Sequence, residues 1–476
     1  MDTREEAVSR KRQQKEETNT PASKRFKSTE AVVADVKAIT NECPSNKTTQ
    51  QPTKIYYTRL RRRMEEEEKL AKLNPQPIIF TTKLTDVNFD CLEHIFKRLS
   101  LTDLLNVAES NKQLKPAADL AFKSQFGNRL IKINLSYKSV QWFEQNKSTP
   151  AIPWSFCFKL LRCFGHLITK LKSIYDESRK YDATLAAEFD RYVNEYCAES
   201  LVEIQFRNCK ARIMEDLKKP FTNVESVCLA GVRFHNKTSE LNAWFPKMRR
   251  LNLFAQSDDT IAVQFPHLQD LSLCLSSVNH DEERFAELLH SNPNLRALST
   301  NSNIETKYLQ CASELLQHLE SLEIRRPISY SGNRPVHFPS VKKLTLQNVA
   351  PEKFPLTFDQ LEELVITPIG TKHSYADLII SNQASLRKLI YRGSKFGVAG
   401  ALLKIASPSL VEVDMNGCRF PIDEVVTFVN KCTALKKLSL GFDDEKDYKE
   451  VQNRLSKEWR GTGKMLGGMY EVTMER

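Results

Sequence analysis

From residue 130 onward the apolar residues of the chain recur in one pattern, L-x-x-L-x-L, with Ile, Val, Met or Phe standing in for Leu. Clear copies begin at Leu201 (LVEIQF), Val224 (VESVCL), Met248 (MRRLNL), Leu268 (LQDLSL), Leu295 (LRAL) and Leu319 (LESLEI). More begin at Val341 (VKKLTL), Leu361 (LEELVI), Leu386 (LRKLIY), Leu410 (LVEVDM) and Leu435 (LKKLSL), with successive starts 20 to 27 residues apart. Two weaker copies precede them, LIKINL from Leu130 and ITKLKS from Ile168, and the 33-residue step from Ile168 to Leu201 predicts an inserted or lengthened helix. Within a copy the apolar positions alternate with polar ones, the period of a strand with one face buried. Between copies, FAELLHSNPNL, YADLIISNQASL, ALLKIASPSL and VVTFVNKCTAL space their apolar residues for a helix. Each unit therefore predicts strand, turn, helix, turn. The 20-residue steps leave room for only a short helix or 3₁₀ turn.

A different period runs through residues 84–122. Phe89, Leu92, Ile95, Phe96 and Leu99 form one helical stripe. Ser100-Leu101-Thr102-Asp103 then supplies hydroxyls for open backbone donors and a carboxylate for the positive helix end. Leu104, Leu105, Val107 and Ala108 make a second apolar face, and Pro116 suits the first turn of a third helix, Ala117–Phe122. Three short helices in about forty residues bury too little to be comfortable alone, so apolar surface is left over for a partner.

The recurring interval lies inside that of leucine-rich repeats, whose units cannot cover their own apolar faces and stack into a curved solenoid with a parallel concave sheet. The stretch LTDVNFDCLEHIFKRLSLTDLLNVAESNKQLKPAA resembles an F-box, through Leu84, Asp86, the Leu92-xx-Ile95-Phe96-xx-Leu99 core, Leu101-x-Asp103-Leu104 and Val107-Ala108. Thr85 stands where Pro usually follows the first Leu, and Asn111-Lys112-Gln113-Leu114 replaces the usual Cys-Lys-x-Trp; both departures lower the expected adaptor affinity. The resemblance implies a non-catalytic adaptor for protein degradation, the substrate receptor of an SCF-type (Skp–cullin–F-box) ubiquitin ligase. In that reading Leu84, Leu92, Ile95, Phe96, Leu99, Leu104 and Leu105 dock a Skp-type adaptor, and through it a cullin–RING ligase, while the repeats hold an unknown protein substrate. The other readings are a repeat scaffold whose helical segment is only a cap or a degenerate F-box, and a nuclear nucleic-acid-binding protein.

The fold expected is thus α/β, with residues 1–78 a disordered tail, 79–124 an F-box, 125–441 about 11–13 leucine-rich repeats and 442–476 a C-terminal cap. In the cap, Asp443–Trp459 reads as a polar helix and Met469–Met474 as a last strand. Strand alternation sets Arg250, Asp270, Glu323, Arg325, Lys343, Glu363, Lys388, Arg392, Glu412, Asp414 and Lys437 on the concave sheet. Of these, Arg250, Asp270, Lys343, Glu363, Lys388, Arg392, Glu412 and Lys437 are the candidate substrate contacts. Their mixed signs suit a folded protein better than a polyanion, which favours one sign.

Composition adds a few bounds. Over 476 residues the hydrophobic share is 41% and the net charge +11, enough apolar material for a large core and only a mild basic excess. Residues 1–78 are the exception, rich in Lys, Arg, Glu, Thr, Asn and Gln. There Lys11-Arg12 and Lys24-Arg25-Phe26-Lys27 resemble a bipartite nuclear import signal, or form a plain solvated basic tail. Arg59–Leu73, RLRRRMEEEEKLAKL, pairs opposite charges four residues apart and predicts a short exposed helix. No apolar run approaches the roughly 20 residues of a membrane span, and MDTREEAVSRKRQQKEE lacks a secretory apolar core. The expectation is an intracellular protein, in the nucleus, the cytoplasm or both, without membrane or cofactor. The 11 cysteines contain no CxxC pair and read as reduced core thiols; Cys209 and Cys418 fall in turns after a strand. No GxGxxG, GxxxxGK[ST], HExxH or GxSxG string occurs, so no catalytic constellation is predicted.

Overall fold

The computed structural model describes Arg62, Glu65, Glu66, Lys69 and residues 83–476, apart from 136–139, 145–146, 149–152, 176–182, 208–216, 232–239, 255–263, 274–281, 302–303, 327, 330–334, 350–355, 369–374, 394–399 and 467. The chain divides into two compact units, Met1–Thr81 and Thr82–Arg476. In the first, Arg62, Glu65, Glu66 and Lys69 are helical and exposed, within the stretch whose charge spacing predicts a helix. Lys11, Arg12, Lys24, Arg25 and Lys27 lie outside the described residues.

The second unit is mixed α/β and opens with helices α1 (Phe89–Phe96), α2 (Leu101–Ser110) and α3 (Lys115–Phe126). Their starts follow the residues that favour them. The Asn88 side chain accepts from the Asp90 N–H at 3.1 Å, and the Ser100 hydroxyl accepts from the Asp103 N–H at 3.2 Å. Pro116 occupies the first turn of α3, where its missing N–H costs nothing. This helix runs a turn further than the sequence predicts, because Phe126 is buried in the same core. Leu92, Phe96, Leu104, Leu105, Ala118 and Phe122 form the interior.

Thirteen strands, from Leu130–Leu135 to Lys437–Phe442, then pair in parallel, each with the next along the chain. Every copy of the L-x-x-L-x-L pattern contributes one of them. The central apolar residues stand opposite one another in register: Ile131, Leu171, Ile204, Val227, Leu251, Leu271, Leu298, Leu322, Leu344, Leu364, Leu389, Val413 and Leu438. None is more than 2% exposed. A one-residue slip would bring the whole row out to solvent, so burial fixes the register.

Helices such as Glu282–Ser291, Thr306–Leu315 and Ile422–Lys431 make the crossovers. Ahead of the copies at Val341 and Leu361 the chain departs from the predicted helix, which the 20-residue step into Leu361 limits to a short helix or 3₁₀ turn. It forms instead two short strands, Val336–Phe338 and Leu356–Phe358, paired in parallel. Pro335 and Pro355 precede them, and V-H-F and L-T-F alternate with period two, both of which oppose a helix. A further short pair joins Ile304–Glu305 to Ile328–Ser329.

The sheet ends in antiparallel additions. Val140–Glu144 adds to the first strand and Lys147–Ser148 to Val140–Glu144, and Met469–Glu475 pairs with Lys437–Phe442 at the other end. The polar helix there is Glu445–Arg454, shorter than the predicted Asp443–Trp459, and it is capped by Asp444, which accepts from the Lys446 and Asp447 N–H groups. The expected last strand is present, and a strand that the sequence does not announce, Arg460–Leu466, pairs with it. Its RGTGKML has two glycines and no apolar alternation.

Candidate functional site

Two surfaces gather the residues singled out from sequence. The first is the three-helix unit. Leu92, Phe96, Leu104 and Leu105 point inward, all 4% exposed or less, so they act by holding the helices together. Leu99 is half-buried against the same core. Leu84 and Ile95 by contrast are each 45% exposed, and Phe89, which spacing assigns to the buried stripe, is 41% exposed. At about 100° per residue, Phe89 and Ile95 fall on opposite flanks of the Leu92–Phe96 direction. With Leu120 of α3, this unit holds half of the exposed large hydrophobic residues among those described.

The unit is also tied to the helix that follows the first strands, α4 (Trp154–Phe164). The rings of Phe122 and Phe164 stack with centroids 4.4 Å apart and planes 6° from parallel. Glu109 of α2 accepts from Lys159 and Arg162 of α4, both at 2.9 Å. The Lys159 hydrogen bond above all, aided by Arg162 and opposed by partial burial, holds the Glu109 carboxyl below the usual carboxylate range.

The second surface is the open face of the sheet, made by the residues alternating with the buried row. Here the structure brings charges of opposite sign onto adjacent strands. Lys343, Glu363, Lys388, Glu412, Lys437 and Glu475 follow one another in register. Lys343–Glu363 close to 3.0 Å, Lys388–Glu412 to 3.1 Å and Lys437–Glu475 to 3.2 Å. The hydrogen bond to Glu412 raises the pKa of Lys388. Arg250 and Asp270 occupy the same row one strand apart, and there burial outweighs Arg250 in pushing the Asp270 carboxyl up. Seven of the eight candidate contacts therefore share a single row in which opposite charges are lateral neighbours. Arg392 stands off that row and is exposed. Glu323 is paired by Arg325 at 2.9 Å.

At the other end of the same face, three cations gather two to four residues further along the strands than the pair Lys170 and Glu203. Lys132 and Lys172 are register partners, and Arg207 lies one strand further on. Burial lowers the pKa of Lys172, and Arg207 and Lys132 lower it further. These three cations are not among the residues that the sequence pattern singles out. Their signal lies in the alternate positions of LIKINL, ITKLKS and LVEIQFR, where strand periodicity turns Lys132, Lys172 and Arg207 to the open face.

Cys418 is buried and donates its thiol hydrogen to the Gly393 carbonyl at 3.0 Å, a structural contact; burial pushes its pKa up to about 12. Cys209 lies outside the described residues. Among the described residues no group of three or more His, Cys, Asp or Glu is placed to hold a metal ion, and no helix is long and apolar enough to cross a membrane.

No protein-family model matches the chain. No curated protein matches it. Among solved structures, a crystal structure of a protein from Bacteroides fragilis is similar over 40% of this chain at 14% identity, with a TM-score of 0.30. The chain spans 64% of that protein's length. A likeness at that score says nothing about what this chain does.

Proposed function

We propose that the chain is a non-catalytic substrate receptor, an F-box/leucine-rich-repeat protein that joins a Skp-type adaptor to a protein destined for ubiquitination. The observation carrying this reading is the exposed Leu84, Phe89 and Ile95 on a three-helix unit whose own core is complete without them. An adaptor would cover these side chains, while Leu92, Phe96, Leu104 and Leu105 keep the helices in place. The thirteen buried aliphatics in parallel register support the second half of the proposal, since stacked leucine-rich repeats produce that arrangement. The mechanism is proximity. A rigid receptor raises the effective concentration of a substrate lysine near a charged conjugating enzyme without itself making or breaking a bond.

A scaffold reading, in which the helices only cap the sheet, draws on the Phe122–Phe164 stack and on Leu114, which is buried at 6% where the F-box pattern has Trp. The two readings separate cleanly. Purified Skp-type adaptor should bind the intact chain, and Leu84→Asp with Ile95→Asp should weaken it at least a hundredfold with an unchanged Tm, because both side chains already meet water. Equal binding by the double variant overturns the receptor reading, and absence of binding by the intact chain hands the unit to the cap. The nucleic-acid reading has the paired charges of the open face against it, since a neutralised row gains little from releasing counterions.

A further inference from the structure

On the edge of the sheet where the strands begin, an open surface cleft of about 330 Å³ is lined by Arg249, His267, Gln269, Asn294, Arg296 and His318, with Pro266 beside them, all of them exposed. Among the described residues no carboxylate lines it. Backbone hydrogen bonds set the three strand-side positions in order: the Gln269 N–H donates to the Arg249 carbonyl, and the Arg296 N–H to that of Gln269, both at 2.8 Å. The two guanidinium stems therefore leave the chain two strand spacings apart, about 10 Å, with an uncharged amide between them. His267, Asn294 and His318 each stand two residues ahead of the next strand-side position and line the same cleft. Arg296 meets Glu320 at 3.5 Å with both side chains at least half exposed, a loose contact that an incoming anion can outcompete.

We infer that this cleft binds a phosphoryl group. Two arginines whose stems leave the backbone about 10 Å apart have side chains long enough to meet an oxyanion held between them, each offering paired N–H donors that match phosphate oxygens, and imidazole and amide groups add further donors. The inference needs neither the adaptor nor the repeat assignment. The phosphate can be free or carried on a peptide, and the two sources are separable.

The test is calorimetric titration of the full chain with sodium pyrophosphate at fixed ionic strength. One saturable site is expected, with affinity falling at least tenfold in Arg249→Gln/Arg296→Gln and unchanged in Lys342→Gln, outside the cleft. Circular dichroism and Tm should match for all three proteins. Tighter binding of Gly-Ala-phosphoserine-Ala-Gly than of pyrophosphate assigns the site to phosphopeptides, and the reverse assigns it to free phosphates. Absence of a saturable site, equal affinity in the double variant, or equal binding of the unphosphorylated peptide overturns the inference.

Discussion

Glu424 is a buried carboxylate, 8% exposed, that caps the short helix Ala401–Lys404 from the helix that follows it along the chain. It accepts from the Leu402 N–H at 2.8 Å and from the Gly400 N–H at 3.3 Å. Glu424→Ala leaves those donors buried without a partner, and should cost about 1–3 kcal/mol in urea unfolding. Glu424→Gln retains an acceptor oxygen and should cost less; equal losses would show that packing rather than capping matters. Buried acids elsewhere give the molecule an alkaline limit. Burial raises the thiols of Cys157 and Cys418 to about 12 and that of Cys432 to about 11, and the Tyr375 hydroxyl, which donates to the Val349 carbonyl, to about 12. In the unfolded chain a thiol ionises near about pH 9. The folded state thus holds these protons longer. Their contribution to stability is complete below about pH 9 and is lost progressively as pH rises toward 12. Tm should stay level from pH 7 to 8.5 and decline above it; a level Tm up to pH 11 contradicts this account.

At the scale of the element, the open face of the sheet is organised by lateral pairing. Lys388 lies between Glu363 and Glu412 in register, so Lys388→Glu would set three carboxylates on adjacent strands. It should destabilise by roughly 1–2 kcal/mol, more than the loss of one exposed pair, because like charges directly opposite repel. Adding Glu412→Lys should recover part of that loss, which a double-mutant cycle in guanidinium reads directly; strictly additive losses would mean that the charges do not meet in solution. This row was legible in the sequence as alternating sign, but not as mutual pairing, because pairing depends on a register that the apolar residues set. The strands themselves were legible because Leu251 and its counterparts repeat at fixed spacing. Val336–Phe338 was hidden in a segment too short for periodicity to separate strand from helix, and Arg460–Leu466 because Gly461 and Gly463 carry no pattern. The residues proposed for docking were half legible. The stripe Leu92–Phe96 is plain in sequence, but which flank faces out is decided by where α3 packs, and that put Phe89 and Ile95 outside.

In the whole molecule, each of the thirteen parallel strands pairs, among the described residues, with its neighbours along the chain, while one apolar cluster runs from Leu92 to Met474. The last interface is closed by the C-terminal segment. Its Val472 and Met474 are 1% exposed and Trp459 5%, and they cover the side of Lys437–Phe442 that has no further parallel partner. Burying three such side chains contributes on the order of 5 kcal/mol, by about 1.5–3 kcal/mol each. A chain ending at Leu455 loses this cover together with the hydrogen bonds that Met469–Glu475 supplies along the edge. The loss should remain where it is made. Amide hydrogen exchange is expected to quicken by at least tenfold in the strands Glu412–Arg419 and Lys437–Phe442, and to be unchanged in Leu130–Leu135 and Lys170–Tyr175 at the far end. A uniform increase across all thirteen strands would instead make the sheet one cooperative unit. In that case the C-terminal hairpin would act as a clasp on the whole array.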